Sequence, residues 1–171
     1  MKKIFVLGDN KVGKSTFAKK LQNFYSLKNP LVYEAGAWCR KIHKERFGEK
    51  SYEEQMIPEF REQLYEITRE FLSQDSLYSF KAYQNWETEH NMPQYQILVG
   101  LRNIDDFNLM LDEVKSNNYC IFLANEVEMI PEYMFNMIKM CSMRKVDYIL
   151  VNPNKIHDDF FENFFGKAIK I

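Results

Sequence analysis

A glycine-rich loop near the amino terminus places two glycines, a lysine and a serine at a spacing that binds phosphate. Residues 8–15 read Gly-Asp-Asn-Lys-Val-Gly-Lys-Ser, which completes the P-loop pattern G-x-x-x-x-G-K-S. Glycine lets the backbone come close to phosphates because it has no Cβ atom, and the amide groups of such a loop form an anion-binding nest. The residues that this pattern assigns to nucleotide binding are Gly8, Asp9, Asn10, Lys11, Val12, Gly13, Lys14, Ser15 and Thr16.

The polar side chains of the loop have distinct expected roles. Lys14 is expected to reach the β- and γ-phosphates and to act in catalysis, and the Ser15 hydroxyl is expected to bind Mg²⁺. Thr16 is expected to donate to the α-phosphate. The helix that begins near Lys14 adds the positive end of its dipole. The loop therefore predicts the triphosphate tail of a nucleotide as ligand, with Mg²⁺ as cofactor.

The elements around the loop have the order that the motif requires. An apolar run predicts a strand over Lys2–Leu7, and a helix is predicted from Lys14 to about Leu27. Further strands are predicted at 31–33, 96–99, 119–124 and 148–151, and further helices at 52–73, 76–90, 104–116, 131–143 and 158–165, the last ended by Gly166. Apolar strands that alternate with helices predict an α/β fold, a five-stranded parallel sheet with helices on both faces.

Length, charge and composition limit the kinds of protein that this chain can be. The 171 residues suit a single domain, with a helical insertion over about 35–91 where no strand is predicted. The net charge of −1 gives no basic field for a long nucleic-acid footprint. No apolar run approaches the roughly 20 residues that span a bilayer. Cys39, Cys120 and Cys141 fit neither a disulfide framework nor a zinc site, and the three histidines share no ligand spacing. We therefore expect a cytoplasmic protein without membrane partners.

Two segments at predicted strand ends carry a family resemblance. Strand three ends in Gly100-Leu101-Arg102-Asn103, and strand five lies within Val146-Asp147-Tyr148-Ile149-Leu150-Val151-Asn152. With the P-loop, these segments resemble the P-loop nucleoside and deoxynucleoside monophosphate kinase group, which includes bacteriophage deoxynucleoside monophosphate kinases and dephospho-CoA-kinase-like enzymes. The matched segments cover about 30 residues, so the resemblance depends mainly on their order and spacing.

The resemblance implies a nucleoside monophosphate kinase-like fold and ATP-dependent phosphoryl transfer to a (deoxy)nucleoside monophosphate. It places Lys14 at the transferring group and Arg102 at the acceptor phosphate or the γ-phosphate, because arginine pairs bidentately with phosphate oxygens. Arg40, in a helix after strand two, would bind the acceptor together with Glu34. The helical region 35–91 would bind the acceptor and close over it.

The sequence departs from the family pattern in two places. Active members of the group carry arginines in a lid after the fourth strand, whereas residues 125–143 contain only Lys139 as a basic residue. Arg144 follows directly, and it is the candidate that reaches the transition state; another basic residue in its place, or weak catalysis, are the other interpretations. No carboxylate ends strand three or four, so Mg²⁺ would rest on Ser15, phosphates and water, with Glu34 as a further candidate.

Three alternative functions remain open. The loop also resembles that of Ras-type GTPases, but a guanine-reading N-K-x-D motif is absent: Asn154-Lys155 is followed by an aspartate one residue late, at Asp158. A kinase that acts on DNA or on a modified base is the second alternative. A nucleotide-binding protein without transfer activity is the third, because of the arginine-free lid. The sequence leaves the oligomeric state open, a homodimer included.

Overall fold

The chain folds around a five-stranded parallel sheet with the strand order β2-β3-β1-β4-β5. The computed structural model describes residues 2–9, 11–112, 118–157 and 159–165. Strand β1 runs parallel to both β3 and β4, and β4 runs parallel to β5. The predicted α/β fold is therefore confirmed. The strand order changes direction between β1 and β4, and ligands in such sheets bind at the carboxyl ends of the strands at this switch point.

The regular elements follow the predicted alternation. The strands are β1 Lys2–Gly8, β2 Leu31–Glu34, β3 Tyr95–Val99, β4 Asn118–Leu123 and β5 Asp147–Val151. The helices are α1 Lys14–Phe24, α2 Ala37–Phe47, α3 Pro58–Gln74, α4 Tyr78–Glu89, α5 Ile104–Asp112 and α6 Glu132–Arg144. Short 3₁₀ turns cover Ser26–Lys28, Glu54–Met56, Val127–Met129 and Pro153–Lys155, and a π-helical turn covers Phe161–Phe165.

Three predicted helices differ from the structure, and the described part of the one predicted over 158–165 contains a π-helical turn over Phe161–Phe165. The first ends at Phe24 rather than near Leu27, and a 3₁₀ turn follows it. The helix predicted from Tyr52 begins at Pro58, because proline tolerates the first helical turn and holds the preceding Ile57 in an extended conformation. The end of the helix predicted over 104–116 lies outside the described residues, as do Asp158 and Gly166.

The central strand is buried on both faces, which explains its unbroken apolar run. Ile4 and Val6 pack against Phe17 and Leu21 of α1. On the opposite face, Phe5 meets Phe107 of α5 edge-on, with ring centroids 5.3 Å apart. The apolar side chains of α5 and α6 that are buried are Phe107, Met110, Leu111, Met134, Met137 and Cys141. Helices therefore cover both faces of the sheet.

The chain divides into two compact units. One comprises Met1–Tyr33 with Pro93–Ile171 and contains the sheet, and the other comprises Glu34–Met92 and contains α2, α3 and α4. Within the helical unit, buried His43 lies between Phe47 and Phe60 and shares a 2.8 Å hydrogen bond with Gln63. Among the helices that the structure describes, none is long and apolar enough to cross a membrane.

Candidate nucleotide-binding site

The glycine-rich loop leaves the carboxyl end of β1, the central strand, and packs against the end of β4. Gly8 pairs with Leu123 in the parallel register. A Cβ atom at Gly8 would lie 2.8 Å from the Leu123 carbonyl oxygen and 2.8 Å from Cγ1 of Val12. Only glycine fits this contact without movement of the backbone of β4. The first glycine of the motif therefore seats the loop at the carboxyl edge of the sheet, where a ligand is expected.

The second glycine of the motif has a different role. Gly13 has a φ angle of +86°, a left-handed conformation that glycine adopts without steric cost, and it immediately precedes α1. Lys11 has a φ angle of +61°, and the Val12 side chain is buried in the core. The loop thus curves back toward the sheet and delivers Lys14 to the first turn of α1.

The Lys14 ammonium group lies over the loop. Its Nζ atom donates to the Asp9 carbonyl oxygen at 2.6 Å. Gly100 lies beside the same side chain, because a Cβ atom built there would be 3.6 Å from Cε of Lys14. The Gly100 amide in turn donates to the Val6 carbonyl oxygen at 3.1 Å. The ends of β1 and β3 therefore hold one positive charge at the mouth of the loop.

Ser15 and Thr16 lie in the first turn of α1, and both side chains are exposed. Asn10 lies outside the described residues. A single hydroxyl fits Mg²⁺, because this ion keeps several waters and takes phosphate oxygens for its remaining positions. Over the described part of the chain, no group of three or more His, Cys, Asp or Glu residues converges on a metal-sized site. Ser15 is accordingly the residue that would hold Mg²⁺.

Tyr133, which belongs to none of the sequence motifs, connects the loop to α6. Its hydroxyl donates to the Gly8 carbonyl oxygen at 3.1 Å. Burial raises the pKa of Tyr133 above its ordinary value; nearby Arg102 lowers it and Asp9 raises it. The phenol is thus protonated at neutral pH and able to donate. The Tyr133 hydroxyl contacts Gly8, and Asp9 and Arg102 lie close enough to affect its pKa. No local pattern signals a contact between residues 125 positions apart in sequence.

Arg102 follows β3 at the same edge of the sheet as the loop, and its side chain is exposed. The next residue, Asn103, accepts a hydrogen bond from the Asp105 amide at 2.8 Å and so begins α5. Arg102 also affects the pKa of Tyr133, whose hydroxyl contacts Gly8 of the glycine-rich loop.

Glu34 and Arg40 lie together in the helical unit. Nη1 of Arg40 is 2.5 Å from Oε2 of Glu34, and both side chains are partly exposed. Gly36 lies beneath the guanidinium, because a Cβ atom there would be 3.7 Å from Nη2 of Arg40. Exposed ion pairs of this kind contribute little to stability. The pair therefore holds the guanidinium in place at the start of α2 while leaving it accessible.

Arg144 is not brought to the loop. It ends α6 just before β5, and β5 begins at Asp147, which pairs with Tyr119 at the start of β4. This is the amino-terminal edge of the sheet, opposite the edge at which Gly8 pairs with Leu123. There Arg144 forms an ion pair with Asp112, the last described residue of α5. The expectation that Arg144 reaches the reacting phosphate thus finds no support in its position.

Three asparagines join the loops that follow β4 and β5. Asn152 donates through its amide nitrogen to the Asn125 carbonyl oxygen, and its side-chain oxygen accepts from the Asn154 amide at 2.9 Å. The Asn154 side chain donates to Oδ1 of Asn125 at 3.1 Å. These contacts hold the loops after β4 and β5 together at the carboxyl edge, beside the strand end that Gly8 contacts. In the sequence, Asn152 is the last residue of the segment Val146–Asn152 that carries the family resemblance, and the sequence did not predict its contacts with Asn125 and Asn154.

Comparison with known proteins shows similarity in fold and not in sequence. No family model matches the chain, and no curated protein matches it. A sugar kinase from Janibacter sp. HTCC2649, solved in unliganded form, aligns over 97% of this chain and 93% of its own, with a TM-score of 0.50 and 11% identity. A gluconokinase from Sinorhizobium meliloti 1021 aligns over 91% of this chain and 84% of its own, with a TM-score of 0.47 and 11% identity. The first of these similarities places the α/β fold among solved kinase structures.

Proposed function

We propose that this chain is a P-loop kinase that transfers the γ-phosphoryl group of Mg²⁺-ATP to a nucleoside monophosphate, preferentially a deoxynucleoside monophosphate. The observation that carries the proposal is the position of Lys14, whose ammonium lies over the glycine-rich loop beside the end of β3. Phosphoryl transfer requires positioning and charge neutralisation more than covalent chemistry. A lysine, a nest of amides and an exposed serine at one helix start supply these requirements.

Each residue has one role in the proposed reaction. Lys14 binds the β- and γ-phosphates, and Ser15 would hold Mg²⁺, which would neutralise part of the charge of the phosphates. Arg102 contacts the acceptor phosphate or the γ-phosphate. Arg40 binds the acceptor phosphate, and Glu34 orients that guanidinium through the ion pair between them. Arg144 is left out of the reaction because of its place at the opposite edge of the sheet.

A nucleoside monophosphate as acceptor is supported by the family resemblance at the ends of strands three and five. Arg102, after strand three, has a planar guanidinium that can pair bidentately with the oxygens of a phosphate. A small hydroxyl acceptor such as a sugar or a sugar derivative is the second candidate. It is motivated by the structural neighbour from Janibacter, which is a sugar kinase, and by the Glu34 carboxylate, which can accept a proton from a hydroxyl group. The two candidates differ in whether the acceptor must carry a phosphate.

The experiment is ADP release from Mg²⁺-ATP against a panel of acceptors. The panel contains ribo- and deoxynucleoside monophosphates, gluconate and single-stranded DNA, and GTP without an acceptor is measured beside it. ADP release that depends on one monophosphate establishes the proposal and identifies the acceptor. Release that depends on gluconate or DNA moves the assignment to that class. GTP hydrolysis alone favours a GTPase, and no release on the whole panel with ATP binding intact favours a protein without transfer activity.

Substitutions separate the two arginines in this assay. Removing Arg102 should lower kcat by about 10²–10³-fold if it contacts the phosphoryl group in the transition state. Arg40→Ala should mainly raise KM for the acceptor, since it contacts only the acceptor phosphate. Arg61→Ala, on α3, serves as the matched arginine control. Wild-type rates for both Arg102→Ala and Arg40→Ala would exclude these residues from the acceptor site.

A further inference from the structure

Strand β5 forms one edge of the sheet and exposes apolar side chains. In the strand order it has β4 on one side, and within the described residues no strand pairs with its other side. Tyr148 and Leu150 are 42% and 39% exposed. The strand reads Asp-Tyr-Ile-Leu-Val. Its one charged residue, Asp147, stands at its start, and the strand contains neither lysine nor proline, which proteins commonly use to blunt an edge strand. Tyr148, Ile149, Leu150 and Val151 thus form an apolar run along the open edge of β5.

Helix α6 extends this apolar surface. Ser142 near its end lies beside Tyr148, with their hydroxyl oxygens 3.2 Å apart, and Phe135 and Ile138 occupy the same helix stripe at spacings of seven and four residues. Seven helical residues rise about 10.5 Å, which equals about three strand residues. Phe135 therefore lies level with the far end of β5, and it is 52% exposed. We call the surface formed by Phe135, Ile138, Tyr148 and Leu150 the β5 edge surface.

We propose that the β5 edge surface joins two copies of this chain into a homodimer, with the two β5 strands paired antiparallel across a two-fold axis. An isologous contact needs a surface that complements itself. If the axis passes near Ile149, Tyr148 of each copy faces Leu150 of the other. Aromatic and aliphatic side chains directly opposite each other stabilise antiparallel pairs. The result is one continuous sheet of ten strands, twice the five of each copy.

The charges beside the strand favour a second copy as the occupant. Near the start of α6, Glu126, Glu128 and Glu132 are exposed. The second half of α6 and the turn after it expose Lys139, Arg144 and Lys145 against one acidic residue of β5, Asp147, and the Lys139 ammonium lies 5.3 Å from the centre of the Phe135 ring. Two-fold pairing sets the two α6 helices antiparallel on the same face, so the acidic end of one meets the basic end of the other. A net charge of −1 adds little long-range repulsion between copies. This inference is independent of the proposed kinase activity.

Sedimentation velocity of the full-length chain over a concentration series tests the proposal. The wild type is expected to dimerise, and Leu150→Lys and Phe135→Lys should each raise the dimer dissociation constant by at least about 30-fold. Both residues are substantially exposed, so each variant should fold, and circular dichroism checks this. Leu27→Lys is the matched control, since Leu27 is 99% exposed and lies after α1 rather than on the β5 edge surface.

Two results would overturn the proposal. One is a wild-type chain that remains monomeric at concentrations on the order of 100 µM, where an interface of ordinary affinity is occupied. The other is a dimer that persists in both Leu150→Lys and Phe135→Lys, which would place the contact elsewhere. Leu150→Met preserves the apolar surface and should retain the dimer, so loss of dimerisation in that variant would also contradict the assignment.

Discussion

At the scale of single residues, the two glycines of the phosphate-binding motif are required for different reasons. Gly8 is required by space, because the backbone of β4 and the Val12 side chain occupy the position of a Cβ atom. Gly13 is required by conformation, since its φ angle is +86° and no atom crowds it. One glycine thus fixes where the loop lies, and the other fixes the direction in which α1 begins.

Gly8→Ala should destabilise the folded chain. The methyl group would meet the Leu123 carbonyl oxygen at 2.8 Å, and overpacking of this kind costs about 1–3 kcal/mol. Urea unfolding measures the loss. Gly36→Ala is the control, because the nearest atom to its Cβ position is 3.7 Å away. A Gly8→Ala variant as stable as wild type would show that β4 yields easily at this point.

Tyr133→Phe should weaken nucleotide binding through the loop. The substitution removes only the hydroxyl that donates to Gly8, a contribution of about 0.5–1.5 kcal/mol, which corresponds to about a three- to tenfold rise in the dissociation constant of Mg²⁺-ATP. Titration calorimetry measures this value. Tyr148→Phe removes an equivalent hydroxyl from β5, far from the loop, and should bind Mg²⁺-ATP normally. Equal Mg²⁺-ATP dissociation constants for the two variants would show that the Tyr133 hydroxyl does not contribute to nucleotide binding.

At the scale of elements, helix α2 is held to α3 by a charge-assisted contact. Both terminal nitrogens of Arg46 donate to Glu70, at 2.7 and 2.8 Å, and the Arg46 guanidinium lies 5.4 Å from the centre of the Phe71 ring. These groups are exposed at the surface, so the contact aligns the helices more than it stabilises them. The Arg46 guanidinium holds the pKa of Glu70 below its usual value.

The lowered pKa of Glu70 determines in which direction the stability of the folded chain changes with pH. Its ion pair contributes stability above the unfolded-state pKa, for which 4.5 is the reference value, and the contribution disappears as the pH falls through the folded-state pKa. Glu70→Gln should therefore be less stable than wild type at neutral pH, with the difference vanishing under acid conditions. Urea unfolding over a pH series measures it. Glu62→Gln, whose partner Arg69 lies on the same helix, should show a smaller difference at neutral pH.

At the scale of the whole molecule, nucleotide binding should appear as resistance to unfolding. A ligand that binds only the folded state at 100 times its dissociation constant stabilises that state by about 2.7 kcal/mol. Mg²⁺-ATP should therefore raise the melting temperature of wild type, measured by scanning calorimetry. Chelation of Mg²⁺ should reduce the rise, and Lys14→Ala should remove most of it. Lys19→Ala, an exposed lysine on the same helix, should respond as wild type does; a full response from Lys14→Ala would contradict the role of Lys14.

The sequence by itself determined the features whose cause is local. The glycine-rich loop, the strand before it and the helix after it are contiguous. The central strand is readable because, where helices cover it on both faces, its residues Ile4, Phe5, Val6 and Leu7 are all apolar. The alternation of these elements then led to the parallel sheet. Boundaries were less readable, since Pro58 rather than the apolar periodicity decides where α3 begins.

Tertiary structure alone decided which distant residues share an edge of the sheet. Tyr133 and Gly8 are 125 positions apart, and only the packing of α6 against α5 and β5 brings them together. Arg144 follows the arginine-poor segment closely in sequence, yet α6 carries it to the amino-terminal edge, where Asp112 binds it. A helix of 13 residues separates its two ends by about 20 Å. Nearness in sequence therefore could not predict nearness to the phosphate site.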